Sequence, residues 1–323
     1  MKIIDIQELN QLNYIKESSL TFDLQYKKIG DEGASKIAYK ISKCQNLNHL
    51  VLHLHDHNIG PTGAQNLGVG ISKCASLQTL EIYLNGNEIG QEGASKLSEG
   101  VSSCQFLKTL KLSLNQNEIT CSDQKQQGFL LSSCKNLENF QFDLLGIEID
   151  IERAQRISQA ISECQNLKIL TLKSWSFSIK TEIISILGKG IGLSTNIENI
   201  TIIFYNNNIS DEGLTELSVQ ISKCIQIKYL TLEFCNNKIG VCGATMLGKS
   251  ISILRNLAVL KIKLMHNKIQ DKGAQQLSFG IKQCKNLQFI LLEQYDNYVS
   301  QDAQYKIRQI FFKMNKLACI KLL

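Results

Sequence analysis

The chain has 323 residues, of which 43% are hydrophobic and 20% are charged, and its formal net charge is +6. This composition is typical of a globular protein with a hydrophobic core and argues against intrinsic disorder. No segment reaches the roughly 18 uninterrupted apolar residues of a membrane span, and the amino terminus lacks the apolar h-region of a secretory signal.

The cysteines reveal an internal repeat. Seven of the 11 are separated by thirty residues or by a multiple of thirty: Cys44, Cys74, Cys104, Cys134, Cys164, Cys224 and Cys284. A leucine or isoleucine follows each of these positions by three residues, and the same period continues to Leu317. A fixed period of this length predicts an array of stacked repeats.

The first predicted element is a capping helix in residues 1–18. Its apolar residues fall on one helix-like stripe, namely Ile3, Ile4, Ile6, Leu9, Leu12 and Ile15. Arrays of repeats usually need a cap that covers the first repeat. We therefore expect this segment to cover the first strand.

From residue 19 onward, every period contains a strand followed by a helix. Leu80, Ile82 and Leu84 alternate with polar residues, which predicts a strand with one buried face. The central apolar position of this strand recurs every thirty residues, at Phe22, Leu52, Ile82, Leu112, Phe142, Leu172, Ile202, Leu232, Ile262, Leu292 and Leu322. The extra alternation at Leu54, Leu84 and Leu114 predicts strands longer than a minimal repeat requires.

The helix of each period is predicted from spacings of three and four. In the first period the apolar stripe is Ala34, Ile37, Ile41 and Cys44. Helix starts are expected near Asp31, Pro61 and Asp211, because acids and proline favour the first turn. Residues 318–323 predict a last strand. We expect its apolar edge to be covered by another chain, by self-association or by sequence of a longer protein.

Repeated strand–helix units joined by right-handed crossovers form a parallel sheet. Each unit buries its apolar face only against its neighbours. We therefore predict a single α/β solenoid domain over residues 19–323, although the length alone would suggest about two domains.

The consensus C-x-N-L-x-x-L-x-L-x-L-x-x-N-x-I-G-x-x-G-A resembles a leucine-rich repeat, and its long helical unit resembles the ribonuclease-inhibitor-like subfamily. The closest agreement lies in residues 80–93 and 230–243. The resemblance implies a horseshoe of about ten repeats, with a parallel β-sheet on the concave face and α-helices on the convex face. It also implies a buried asparagine ladder at Asn87, Asn117, Asn207, Asn237, Asn267 and Asn297. Lys27, His57, Ile147 and Phe177 replace the asparagine in other periods.

In this family the concave face mostly binds proteins, so we expect a non-enzymatic interaction scaffold. The outward strand positions carry the only tryptophan and several tyrosines, which are enriched at interface centres. Packing of these rings on neighbouring side chains is the alternative. The predicted partner-binding residues are Tyr83, His53, His55, Trp175, Tyr205, Tyr229, Lys261, Lys263 and Tyr295.

Two further features leave alternatives open. His49, His53 and His55 share one strand face, so they could hold zinc or be ordinary surface histidines. The in-phase cysteines predict a column of buried thiols, because free cysteine packs as a small hydrophobe. Cys235 falls on the outward face and is expected to be the most accessible thiol.

The sequence contains no G-x-S-x-G, H-E-x-x-H, Walker or protein-kinase motif. We expect no enzymatic activity, cofactor, metal or membrane partner, and a cytoplasmic or ciliary location. The lysines are spread along the chain without a basic block, which makes nucleic acid an improbable partner. The resemblance also implies two alternatives, a GTPase activator of the Ran-activator type and a structural subunit of a large, for example ciliary, assembly.

Overall fold

The computed structural model describes residues 1–3, 5, 16–24, 28–119, 134–144, 147, 149–175, 179–314 and 319–322, the last segment as backbone only. Its residues divide into two compact units, Met1–Leu167 and Lys168–Leu323. The predicted single domain over residues 19–323 stays a prediction. Most of the predicted capping helix lies outside the described residues, and Lys2–Ile3 form a short strand.

Unit 1 contains a parallel sheet in which neighbours in sequence are neighbours in space. Its strands are β1 (Lys2–Ile3), β2 (Ser19–Asp23), β3 (His49–His53), β4 (Thr79–Tyr83), β5 (Thr109–Ser113) and β6 (Asn139–Asp143). Its described helices are α1 (Gly30–Ile41), α2 (Pro61–Ser72), α3 (Gly90–Ser102) and α4 (Ile151–Glu163).

Unit 2 repeats this arrangement, again with parallel neighbouring strands. Its strands are β7 (Ile169–Ser174), β8 (Asn199–Phe204), β9 (Tyr229–Glu233), β10 (Val259–Lys263), β11 (Phe289–Glu293) and β12 (Cys319–Leu322). Its helices are α5 (Thr181–Leu193), α6 (Asp211–Ile221), α7 (Val241–Ser252), α8 (Gln270–Lys282) and α9 (Gln301–Phe312). The predicted α/β leucine-rich solenoid is confirmed, as are the last strand and the three helix starts.

The core lies between the sheet and the helices. Leu50, Leu52 and Leu54 from one strand and Ile37 and Ile41 from a helix are fully buried, and the same positions recur in later repeats. The backbone ladder also continues past the assigned strand end, since Leu54 N donates to Tyr83 O at 2.8 Å. The strand-like hydrogen bonding therefore extends to the buried Leu54, as the alternation of apolar residues predicted.

The asparagine ladder joins successive turns. The Asn87 amide donates to Leu54 O at 2.8 Å and to Leu84 O at 2.7 Å, while its Oδ1 accepts from His57 N and Ile59 N. The same donor and acceptor pattern recurs at Asn117, Asn207, Asn237, Asn267 and Asn297. A side chain with both donors and an acceptor is needed here because the loop backbone is buried.

The in-phase cysteines form the predicted buried column. The Cys224 thiol donates to Ile191 O at 3.3 Å, and the Cys284 thiol donates to Ile251 O at 3.3 Å. Each bond reaches back to the preceding turn. Burial raises the pKa of Cys224 and Cys284 to about 12, so both remain neutral thiols at physiological pH.

Glycine allows some helices to approach closely. A Cβ at Gly100 in α3 would overlap the backbone carbonyl of Gly68 in α2, and Gly280 in α8 stands in the same relation to Gly248 in α7. The glycine pairs in these helices therefore serve packing, as close backbone approach requires.

Candidate functional site

The candidate site is the face of the sheet that points away from the helices, which we call the open sheet face. Alternate strand residues point to it because successive side chains in a strand alternate between faces. Its chemistry differs between the two units.

In unit 1, aromatic rings of neighbouring strands pack on one another. The His53 ring stacks on Tyr83 with centroids 4.9 Å apart and an interplanar angle of 5°, and the His55 ring lies 5.9 Å from Tyr83. Strand register explains the contact, since His53 is the direct partner of Tyr83. The structure thus brings together three of the predicted binding residues, which we call the histidine–tyrosine cluster.

A charged pair anchors this cluster. The Tyr83 hydroxyl donates to Glu81 Oε2 at 2.9 Å, and Lys111 Nζ lies 2.9 Å from Glu81 Oε1. Burial alone would raise the pKa of Glu81, but the hydrogen bonds from Lys111 and Tyr83 outweigh it and lower the pKa. Burial, with the bond to Glu81, raises the pKa of Tyr83 to about 12. The phenol therefore stays protonated and holds its ring in place.

In the described part of the chain, no three His, Cys, Asp or Glu residues converge as metal ligands would. Partial burial of the ring, together with nearby His53, lowers the pKa of His55. His57 is buried at the asparagine position, as predicted for a structural residue.

Farther along the same face, polar side chains cover one another. The Ser113 hydroxyl donates to Asn85 Oδ1 at 2.7 Å, and the Asn115 amide donates to Asp143 Oδ2 at 3.2 Å. Ser113, Asn115 and Val51 are buried, although their strand positions point outward. Cross-strand packing therefore removes these positions from the accessible surface.

In unit 2, the exposed Trp175 and the half-buried Tyr205 form an aromatic pair. Their ring centroids lie 6.5 Å apart, the Trp175 side chain is 59% exposed, and Tyr205 N donates to Ser174 O at 3.1 Å. The backbone bond fixes the two strand ends beside each other. Two of the predicted binding residues therefore lie in contact at the ends of neighbouring strands.

Tyr295 occupies the repeat position equivalent to Tyr205, just after a strand end, but its ring contacts a histidine instead of a tryptophan. Its ring meets His266 edge-on at 5.7 Å, and His266 Nδ1 lies 3.2 Å from Asp296 Oδ2. Sequence reasoning missed His266, which lies just before a ladder asparagine. The available signal was the recurrence of turn-forming residues at this position, where Asp56, Asn206 and Asn236 also take positive φ.

Tyr229 lies apart from the other predicted anchors. It pairs with Asn199 at the start of β8, six residues before Tyr205. At the rise of a β-strand this separation is about 20 Å. Tyr229 is 48% exposed, but it lies where the strands begin, whereas Tyr205 lies where they end.

The two predicted lysines have different environments. Lys263 Nζ lies 3.3 Å from Glu233 Oε1, and Lys261 Nζ lies 5.9 Å from the centroid of the Phe289 ring. Burial alone would lower the pKa of Lys263, but the charge and hydrogen bond of Glu233 raise it. Lys261 is exposed and is the more available cation for a partner.

The expectation for Cys235 was wrong. Its side chain is only 1% exposed, and burial raises the pKa of its thiol to about 11. Strand alternation places Cys235 on the outward face but did not reveal this burial. Among the described cysteines, the exposed thiol is Cys242, near the start of α7.

Comparison with known proteins agrees with this geometry. A family model described as "Leucine Rich repeat" matches residues 18–38, 73–98 and 258–278. Together with the thirty-residue strand–helix period and the buried asparagine ladder, the match shows that the chain is built from leucine-rich repeats. Proteins of this class generally mediate protein–protein interaction.

Two solved structures are similar to the chain. Internalin C2 from Listeria monocytogenes is 15% identical, with 88% of this chain and 84% of that chain covered and a TM-score of 0.38. A Bacteroides fragilis protein is 12% identical, with 92% and 71% covered and a TM-score of 0.43. No curated protein is significantly similar in sequence. No helix in the described ranges is long and apolar enough to cross a membrane.

Proposed function

We propose that the chain is a non-enzymatic interaction scaffold that binds a protein partner through the open sheet face. The observation that carries this proposal is the Trp175–Tyr205 pair, with Trp175 59% exposed on a rigid sheet. Large aromatic side chains contribute most of the binding energy at many interfaces. A sheet position also holds the rings in place before binding, which lowers the entropic cost of association.

The histidine–tyrosine cluster and Lys261 supply the polar part of the proposed surface. His53 and Tyr83 are half-buried and stacked, so their rings are already ordered before a partner binds. Lys261 supplies an accessible positive charge. Both charge signs occur on the open sheet face, through Lys261 and Glu293. Such mixed rims favour specificity and correct orientation more than raw affinity.

The test is a pull-down from native extract, followed by titration of the recovered protein. The double variant Trp175→Ala with Tyr205→Ala is compared with wild type. Tyr39→Ala with Tyr305→Ala is the matched control, because both tyrosines are exposed on helices. We expect the face variant to lose at least about tenfold in affinity, as for removal of hot-spot aromatics, while the control binds as wild type. Equal affinity of all three proteins would refute this site.

The subfamily and the location belong to the same proposal. Helices of 11 to 13 residues in most repeats support the ribonuclease-inhibitor-like type. Free buried thiols such as Cys224 are typical of a reducing compartment, which supports a cytoplasmic location.

Single-turnover GTP hydrolysis with a panel of small GTPases tests the activator alternative, and acceleration by the chain would overturn the non-enzymatic assignment.

A further inference from the structure

A second surface lies on unit 2, at the edge where helices end and the next strands begin. We call this edge the amino edge, and it comprises residues 188–198, 218–228, 248–258 and 278–288. Three consecutive turns each place an aliphatic side chain there: Leu193 is 67% exposed, Ile225 58% and Ile253 53%. Neighbouring helices pack about 8–10 Å apart, so the three side chains form a row of about 20 Å.

Cations surround this row. Among the four segments the only acidic residue is Glu198, which pairs with Lys228 at 2.8 Å. Six other basic residues are all exposed: Lys189, Lys223, Lys249, Arg255, Lys282 and Lys285. The amino edge therefore combines exposed aliphatic surface with a strong local excess of positive charge.

The backbone that presents the row is held in place. The Asn256 amide donates to Ile225 O at 3.1 Å, and the Asn286 amide donates to Arg255 O at 2.8 Å. Each bond ties a loop to the loop of the preceding repeat. The aliphatic side chains are thus displayed by fixed loops.

The repeat itself does not require this surface. In unit 1 the position of Leu193 is occupied by Lys43, Lys73 and Ser103. The position of Ile225 is occupied by Gln45, Ala75 and Gln105. Unit 1 also places acidic residues in its corresponding segments, among them Glu99 and Glu163. Unit 1 exposes Tyr39, Val69 and Phe106 in its corresponding segments, so both units have exposed apolar side chains at this edge. Unit 2 differs in that its row is aliphatic and that Glu198 is the only acid among its four segments.

We propose that the amino edge of unit 2 docks on an anionic phospholipid membrane surface. Aliphatic side chains that enter the headgroup region bury apolar area, and nearby lysine and arginine are attracted to anionic lipid. The exposed Tyr229 lies at the same edge, at the start of β9. Amphipathic tyrosine rings are enriched at the headgroup level of membranes. Leu193, Ile225 and Ile253 have no π face for stacking on bases, so they favour lipid over nucleic acid.

This proposal departs from the expectation that the chain has no membrane partner. That expectation relied on the absence of an apolar segment long enough to span a membrane, and the absence of a basic block argued only against nucleic acid. Lys189, Lys223 and Lys249 are far apart along the chain, yet stacking of α5, α6 and α7 brings them to one edge. Peripheral attachment needs such a surface and no membrane-spanning helix.

The experiment measures co-sedimentation with vesicles of phosphatidylcholine alone or with about 30% phosphatidylserine, at roughly 0.1 M salt. The test variant carries Leu193→Ser, Ile225→Ser and Ile253→Ser. The control carries Tyr39→Ser, Val69→Ser and Phe106→Ser, which remove three exposed apolar side chains from unit 1. Circular dichroism and thermal unfolding verify that both variants are folded.

We expect wild type and control to bind phosphatidylserine vesicles, and the test variant to bind at least about tenfold more weakly. Three results would overturn the proposal: no binding by wild type, equal binding by the test variant, or an equal loss in the control. A parallel titration with a fluorescent single-stranded oligonucleotide is included. Tighter binding to the oligonucleotide than to the vesicles would also overturn it in favour of nucleic acid.

Discussion

The carboxylate of Asp211 caps a helix to which it does not belong: its Oδ1 accepts from Gly243 N in α7 at 2.8 Å. The same oxygen accepts from Gly240 N at 2.6 Å. Asp31 makes the equivalent bonds to Gly60 and Gly63 at the start of α2. The first-turn acid of one repeat thus satisfies the free backbone donors of the next helix, and links adjacent repeats.

Asp211→Ala is expected to lower the free energy of unfolding by about 1 kcal/mol, which is typical for loss of a helix cap. Asp211→Asn keeps the side-chain oxygen acceptor and should recover much of this loss. Urea unfolding followed by circular dichroism measures both values. If Ala and Asn destabilise the protein equally, the carboxylate does not act as a cap.

Protonation of the Asp271 carboxylate should make the free energy of unfolding depend on pH. Hydrogen bonds from the backbone and side chain of Ser300 lower the pKa of this carboxyl. A lowered folded-state pKa means that its stabilisation is complete above the unfolded-state pKa of about 3.9 and is lost as pH falls through the folded-state pKa. Wild type should therefore be more stable than Asp271→Ala near pH 7, and the difference should shrink near pH 3. A difference that is independent of pH would contradict the carboxylate's role.

Gln270 occupies a position that suits glycine. Its φ is +59°, and the equivalent residues Gly30 and Gly90 have φ of +57° and +61°. A left-handed backbone costs a non-glycine residue roughly 1–2 kcal/mol. Gln270→Gly should therefore raise the free energy of unfolding by about 1 kcal/mol, whereas Gln276→Gly, inside α8, should lower it by a similar amount. Loss of stability in both variants would show that the turn is not strained.

Gln294 is a buried polar residue at a repeat position that is otherwise mostly apolar. The corresponding positions are leucine or phenylalanine in most repeats, and Gln294 Oε1 is buried without a hydrogen-bond partner. A cavity of about 60 Å³ adjoins it, lined in part by Leu292 and Ile307. Gln294→Leu should raise the free energy of unfolding by about 1 kcal/mol, because an unpaired polar atom is removed from the core. Gln288→Leu, at an exposed position, should change it little, and thermal unfolding compares the two.

Cysteine reactivity should follow burial. Near pH 8, iodoacetamide is expected to modify Cys242 in the folded protein, while Cys235, whose pKa burial raises to about 11, stays unmodified. Unfolding in guanidinium should make both reactive. Peptide mapping by mass spectrometry identifies the modified residues. Equal modification of the two thiols in the folded protein would show that Cys235 is accessible.

Much of the fold could be predicted because its determinants are local. Alternation by two and spacing by three and four place Leu50, Leu52, Ile37 and Ile41 in the core wherever they recur. The thirty-residue period then sets the parallel register, since residues one period apart become strand partners. The asparagine ladder was predicted through the resemblance, and its chemical requirement is a side chain with both donor and acceptor groups.

The candidate site was predicted less completely. His53 and Tyr83 meet because their register follows from the period, and Trp175 meets Tyr205 for the same reason. Tyr229 was placed with the same anchors although it lies near the opposite end of its strand. Strand alternation identifies the face of a residue, and only the position along the strand decides which residues can share a contact.

The sequence by itself determined the repeat, its strand and helix, and the residues between sheet and helices, because each depends on periodicity along the chain. Only the tertiary structure decided which outward positions remain accessible. Cys235 and Ser113 are buried despite their outward strand positions. Lys189 and Lys249 of separate repeats are exposed on stacked helices, and Leu193 and Ile253 are also exposed. Accessibility and charge density depend on distances between repeats, which stacking makes short for residues thirty positions apart.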